Sequence, residues 1–246
     1  MTTQGATGAP VDIDAGRAAP GRELTGGIAA HVVAGTYVIG FLAMLAYLQP
    51  RGFTDPLTEP GASLDFLAAQ PAAMYVWYSV LYLVGGAALP VVVLALRRRL
   101  RAADPVVVGV GTVFGLIWAG LLLGAGMLAL VGQQAVLAFA DVDRGAAVVS
   151  WHAISTVQDA LGGGIELVGA LWLLAVCLAA LRIRAIPVGL AGLGLALGLA
   201  GLATLVPAAA QISASVFGLG LIVWFTWIAL TLLAHSRNTR QGGIDE

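Results

Sequence analysis

Six apolar stretches, each of about twenty residues or more, occupy most of this 246-residue chain, and they remove nearly every fold open to a polypeptide of its size. Crossing a hydrocarbon core of roughly 30 Å takes about 20 residues of helix, and in lipid only helices and closed barrels satisfy every backbone N–H and C=O. The stretches, residues 28–48, 74–96, 106–131, 161–181, 186–207 and 212–234, are too long and continuous for barrel strands. The expected fold is therefore all-α, a polytopic membrane helix bundle with six transmembrane helices. Hydrophobic residues make up 59% of the chain and charged ones 10%, where soluble domains carry about a quarter charged.

Spans and short connections consume nearly the whole length, so a separate soluble domain has no room. Residues 27–236 are expected to form the six-helix transmembrane domain. Residues 1–26, rich in Gly, Ala, Thr and Pro and lacking hydrophobic periodicity, read as a disordered cytoplasmic tail, and 237–246 as a second cytoplasmic tail. The N-terminus lacks the basic start and short apolar run of a secretory signal, so the first span is expected to stay in the mature chain. All 12 basic residues are Arg, which with abundant Ala, Gly, Val and Leu suggests a GC-rich bacterial genome and a place in the bacterial inner (plasma) membrane.

Basic residues also predict sidedness, because Arg-bearing short loops stay in the cytoplasm. With the N-terminus inside, Arg17, Arg22, Arg97, Arg98, Arg99, Arg101, Arg182, Arg184, Arg237 and Arg240 fall on the cytoplasmic face, and only Arg51 and Arg144 fall outside. Both termini are then cytoplasmic. Two longer connections, 49–73 and 132–150, lie outside, the first irregular with one helical turn around 64–69 and the second helical over 133–140.

Net charge −1 argues against nucleic acid, whose binders carry a basic face. The lone Cys177 has no intrachain partner and reads as a small packing residue. Small-residue pairs at four-residue spacing, Gly111/Gly115, Gly120/Gly124 and Gly194/Gly198, read as stripes for close helix approach. Gly85, Gly86 and Pro90 predict a weakened or kinked second span. The chain holds no nucleophile elbow, phosphate-binding glycine loop, metalloprotease helix, CxxC or intramembrane Lys. His31 and His235 read as interfacial. His152 has no partner histidine at its depth for haem, and metal binding by His152 with Asp141, Asp143 or Asp159 is geometrically open but lacks a tight ligand spacing, which leaves the cofactor open.

The fourth span carries the only carboxylate inside any of the six stretches, Glu166. A charge in hydrocarbon is expensive and marks a functional candidate. At about 100° per residue, positions seven apart share a helix face, which aligns His152, Asp159 and Glu166, with Ser155, Gly162 and Gly169 near the same line. Steps of about 10 Å along the axis are too long for the three to clamp one ion, but they suit proton passage or an amphiphile with a polar end. Gly162, Gly163 and Gly164 each weaken a helix by roughly 1 kcal/mol relative to Ala. Either another backbone or a ligand approaches closely there, or the helix opens and exposes its peptide groups to a cavity. Tyr75, Trp77, Tyr78 and Tyr82, with Tyr47 nearby, crowd the outer end of the second span as interfacial anchors or as the wall of an apolar pocket facing this stripe.

From about Ser150 onward, the runs Gly163-Gly164-Ile165-Glu166, Leu171-Trp172-Leu173-Leu174, Leu181-Arg182, Pro187-Val188-Gly189-Leu190-Ala191-Gly192-Leu193 and Val223-Trp224-Phe225-Thr226-Trp227 resemble a family of uncharacterised bacterial six-helix integral membrane proteins, a domain of unknown function. The resemblance implies six spans with a polar entry to the fourth, and no activity.

The leading expectation is a membrane protein that binds an apolar or amphiphilic small molecule in an outward-opening cavity, with proton-coupled transport as one use. Trp77, Tyr78, His152, Ser155, Asp159, Gly162, Gly163 and Glu166 would line the site. One alternative is a membrane enzyme with Glu166 and Asp159 as catalytic acids on a lipid or isoprenoid-like substrate. Another is a structural or regulatory subunit, with the glycine stripes as its contact surface. Expected partners are membrane lipids and the small molecule, with a homo-oligomer or a larger membrane complex as the assembly.

Overall fold

The computed structural model describes residues 19–241, and among these the secondary structure is helical throughout, with no strand. Helix α1 (Ala19–Ala43) runs on through a π-helical turn, Met44–Leu48, and a 3₁₀ turn, Gln49–Arg51. It stops at Gly52, whose φ of 90° suits a residue without Cβ. Two short helices follow, α2 (Pro60–Ala69) and α3 (Pro71–Tyr78), and α3 continues through a second π-helical segment, Ser79–Val84, into α4 (Gly85–Arg99). The long α5 (Pro105–Ala140) leads to α6 (Arg144–Gly162), α7 (Leu167–Ile183), α8 (Val188–Ala203) and α9 (Ala210–Gln241).

Starts and stops follow local chemistry. Pro60, Pro71 and Pro105 occupy first turns, where a missing N–H costs nothing. The Asp104 carboxylate accepts from Val106 N at 2.8 Å, and that of Asp143 from Ala146 N at 3.0 Å, capping α5 and α6. The second span does loosen, but one turn ahead of Gly85, Gly86 and Pro90, in the wide Ser79–Val84 segment. Gly85 and Gly86 instead admit Thr36 and Leu123 at about a Cβ contact distance of 3.0 Å.

Five helical segments are long and apolar enough to cross a membrane, Glu23–Arg51, Pro71–Arg99, Pro105–Ala140, Arg144–Ile183 and Ala210–Ala234, and α8 is a shorter apolar helix of 16 residues. Neighbours run α1, α4, α5, α7, α8, α9 and back to α1, so six helices close into a ring. Its centre is aromatic. Trp118, Trp172 and Trp224 meet at centroid separations of 5.6 Å, with Phe217 and Phe225 against them, all buried. Trp227, by contrast, is exposed on the outer surface of α9.

Small residues set the approach of these helices, though not all of those anticipated. Gly111 and Gly115 of α5 receive Ala175 and Trp172 of α7, while Gly194 and Gly198 of α8 receive Cys177, Trp224 and Leu174. Gly120 and Gly124 face open space. The packing stripes of α8 are thus spent inside the chain rather than offered to a partner. The hydroxyls of Thr36, Thr112, Thr226 and Thr231 each donate to a carbonyl about one turn back, which satisfies them within their own helices.

At 36 residues, α5 is about 54 Å long, far more than a roughly 30 Å core requires. Its excess pairs with α6 at the end away from Arg97–Arg99. There α2 lies on the hairpin to build a second, separate core from Leu64, Leu67, Met74, Tyr78, Val136 and Trp151. The connection at 49–73, expected as irregular with one turn at 64–69, is consequently more helical than that, and in 132–150 the helix expected at 133–140 is the end of α5, with only 141–143 left as a turn. Helix α1 likewise begins at Ala19, inside the stretch 1–26 expected as a tail. The expectations for residues 1–18 and 242–246 lie outside the described residues, as do the side chains of Arg22, His235, Arg237 and Arg240.

Candidate functional site

The fourth span, Arg144–Ile183, does not run as one helix: it is interrupted between Gly162 and Leu167. The peptide N–H groups of Gly163 and Gly164 both donate to the carbonyl of Asp159, at 2.9 and 2.7 Å, which closes α6. The Asp159 carboxylate folds back over this turn, so that a Cβ on Gly164 would collide with its Oδ2. Close approach explains Gly162 too, because a Cβ there would come within 2.7 Å of the Tyr82 ring and 2.9 Å of Ala125. Close approach at Gly162 thus comes from side chains rather than from the backbone or ligand anticipated, and the helix opens at 163–166.

Glu166 then starts α7 as its N-cap residue. The peptide N–H of Glu166 donates to Thr204 Oγ1 at 3.0 Å, and that hydroxyl donates to Gly201 O at 2.6 Å. The C-terminus of α8 thus supplies the partner that the interrupted helix lacks, as lipid demands of an open backbone. The Glu166 side chain is half-buried, and among the described residues nothing hydrogen-bonds or ion-pairs with its carboxylate. It lies within electrostatic reach of Tyr37 on α1, Tyr82 in the π segment, and Asp159. Since α7 has 17 residues, Glu166 stands about 25 Å along the axis from the arginine-rich end.

The remaining expected site residues divide between structure and site. His152 is exposed and its Nδ1 lies 3.1 Å from Pro56 O, tying the first long connection to α6. Ser155 is buried with its hydroxyl unpartnered, as is Gln133 Oε1 of α5. The facing argument that aligned His152 with Glu166 assumed an unbroken helix and does not carry across the turn at Gly163. Tyr78 is buried in the second core, its ring 5.2 Å from Trp77 and 6.1 Å from Tyr82. Tyr82 in turn accepts a 2.7 Å hydrogen bond from Gln158 Nε2, beside Asp159.

Two recesses accompany these features. A recess of about 530 Å³ is walled by Ile39, Ala43, Leu48, Val76, Trp77 and Val80, with Tyr47 and Gln70 at its polar edge. There Tyr47 Oη meets Gln70 Oε1 at 3.4 Å, and Trp77 Nε1 donates to Gly40 O at 3.1 Å. The other, of about 780 Å³, lies among arginines at the opposite end. Neither is lined by Asp159 or Glu166, so neither is the outward-opening cavity expected beside the carboxylates. Tyr37, Gln158 and Thr204 were missed as site residues. Gln158 adjoins the stripe and was legible, whereas the other two arrive from distant helices and had no local signal. Among the described residues, no three His, Cys, Asp or Glu side chains converge as a metal-ligand set.

No protein-family profile, curated protein or solved structure matches the chain.

Proposed function

We propose that this chain is a six-span protein of a bacterial plasma membrane, with both ends cytoplasmic, that takes an apolar or amphiphilic molecule at its outer side. The carboxylates of the broken fourth span exchange protons in step with that binding. The sidedness is supported by Arg97, Arg98, Arg99, Arg101, Arg182 and Arg184 gathering at one end, whereas Arg51 and Arg144 stand at the other. The observation that carries the reading is a continuous path of side chains. It runs from Trp77 in the recess wall through Tyr78 and Tyr82 to Gln158, which adjoins Asp159 at the break.

An apolar body fits against Ile39, Ala43, Leu48 and Val76, and a polar end meets Tyr47 and Gln70 at the mouth. The test is mass spectrometry of small molecules retained by purified protein, joined to proton uptake in proteoliposomes. Trp77→Ala is expected to lose the retained amphiphile. Glu166→Gln is expected to keep it while proton uptake falls about tenfold or more, the scale on which positioned acid–base groups act. A wild-type protein that retains nothing beyond its detergent control, or variants indistinguishable from it, would sink this function.

A further inference from the structure

The recess at the arginine-rich end is bounded by α4, by α1 through Glu23, and by the turn after α7. It collects Arg97, Arg98, Arg99, Arg101 and Arg184, with Glu23 as its acid. Five guanidinium groups against one carboxylate leave a net charge of four in a concavity of about 780 Å³. Arginines that merely mark a cytoplasmic face spread into water, and three features separate this group from that case.

First, Arg99 is immobilised as a wall: its Nη1 pairs with Glu23 Oε1 at 3.0 Å and its Nε donates to Ala185 O at 2.8 Å. That consumes the recess's carboxylate. Arg97, Arg98, Arg101 and Arg184 are exposed and have no ion pair or side-chain hydrogen bond among the described residues. Asp104 is engaged elsewhere, capping α5.

Second, Arg184 is the non-glycine residue at positive φ among those described, at 53°. It closes α7 with a left-handed turn in which Ala185 N reaches Ala180 O at 3.0 Å, a position that glycine fills without strain. An arginine kept in a glycine position, with its side chain at a basic recess, points from strain toward function. Third, the floor is apolar. Leu94, Ala95 and Ile183 line the recess, and Leu94 and Val91 remain exposed along α4 toward the membrane interior.

We propose that this recess binds a phosphate compound of net negative charge, the four free arginines holding its oxygens. Guanidinium forks match phosphate geometry, and basic pockets between spans at a membrane surface suit anionic headgroups. The apolar strip on α4 would accommodate an acyl chain, so the two sources of this chemistry are an anionic phospholipid and a soluble phosphate compound. The site lies at the opposite end from the aromatic recess, and the two readings stand or fall separately.

Full-length protein in detergent is titrated with cardiolipin, phosphatidylglycerol or phosphatidylcholine, and separately with inorganic pyrophosphate. Binding is read by native mass spectrometry and melting temperature. The phosphate probes are expected to bind at concentrations where phosphatidylcholine does not, and more weakly as salt rises. Joint Arg97→Gln, Arg98→Gln and Arg101→Gln substitution is expected to weaken binding roughly a hundredfold, at about fivefold per guanidinium. Arg184→Gly is expected to weaken binding while raising the melting temperature without ligand, a pairing that a purely structural arginine would not produce. Anionic lipid binding alone identifies a headgroup site, whereas pyrophosphate binding with the same arginine dependence identifies a soluble source. Equal affinity for phosphatidylcholine, or an equal loss in Arg182→Gln, whose residue lies outside the recess, would overturn the proposal.

Discussion

At Gly164 a methyl group would run into the Asp159 carboxylate, whereas at Gly124 it would enter open space. The two glycines therefore predict opposite outcomes for one substitution. Gly164→Ala must displace the carboxylate that folds over the break, at about 1–3 kcal/mol of destabilisation. Gly124→Ala removes backbone freedom from a helix interior and collides with nothing, for about 0.5–1 kcal/mol of added stability. Reversible unfolding in mixed micelles measures both, and equal signs would contradict the geometry. Residue types alone named Glu166 and Asp159 as the groups to watch. They also aligned His152 with that pair but did not reveal its seat against Pro56 O, because spacing along an assumed helix says nothing about what the rest of the fold brings alongside.

For the elements, the instructive case is the break between α6 and α7. Three adjacent glycines forecast weakness there, but weakness alone would leave peptide groups bare in an apolar setting. Thr204 resolves this from the end of α8, accepting from Glu166 N and donating to Gly201 O. Thr204→Val keeps the shape and removes both bonds. It is expected to cost about 1–3 kcal/mol, with faster hydrogen exchange at the Glu166 amide, and Thr204→Ser to restore protection. Unchanged exchange in the valine variant would mean that the cap does not hold the break. The length of α5 teaches a related point. Hydropathy found its apolar core, yet the helix continues to Ala140, where Val136 joins the core built with α6 and α2 and Gln133 is buried.

For the whole molecule, the ring of α1, α4, α5, α7, α8 and α9 covers the Gly111/Gly115 and Gly194/Gly198 surfaces and leaves Gly120, Gly124 and Gly192 open. Gly194→Leu would force a side chain into Cys177 and Trp224 and is expected to unfold the chain itself, at 3 kcal/mol or roughly that, rather than release an intact subunit. Gly192→Leu, with nothing within 4 Å, is expected to be tolerated. Size-exclusion profiles and melting temperatures of the two separate these outcomes, and a folded, monodisperse Gly194→Leu protein would refute the packing. The exposed pair between Arg144 and Asp65, at 2.6 Å, joins the outer layer but contributes only about 0–1 kcal/mol, so that layer stands on its apolar core.

The all-helical architecture and the position of its apolar segments follow from the sequence by itself, since lipid tolerates no other way of satisfying a backbone over twenty apolar residues. The glycine run also marked the weak turn in advance, because helix propensity is local. Which groups face Glu166, where the recesses open, and which glycines are covered depended on helices far apart in the chain coming together, α1 and α9 among them. Interactions of that range have no signature in spacing, because they arise only when closely packed neighbours exclude every other arrangement.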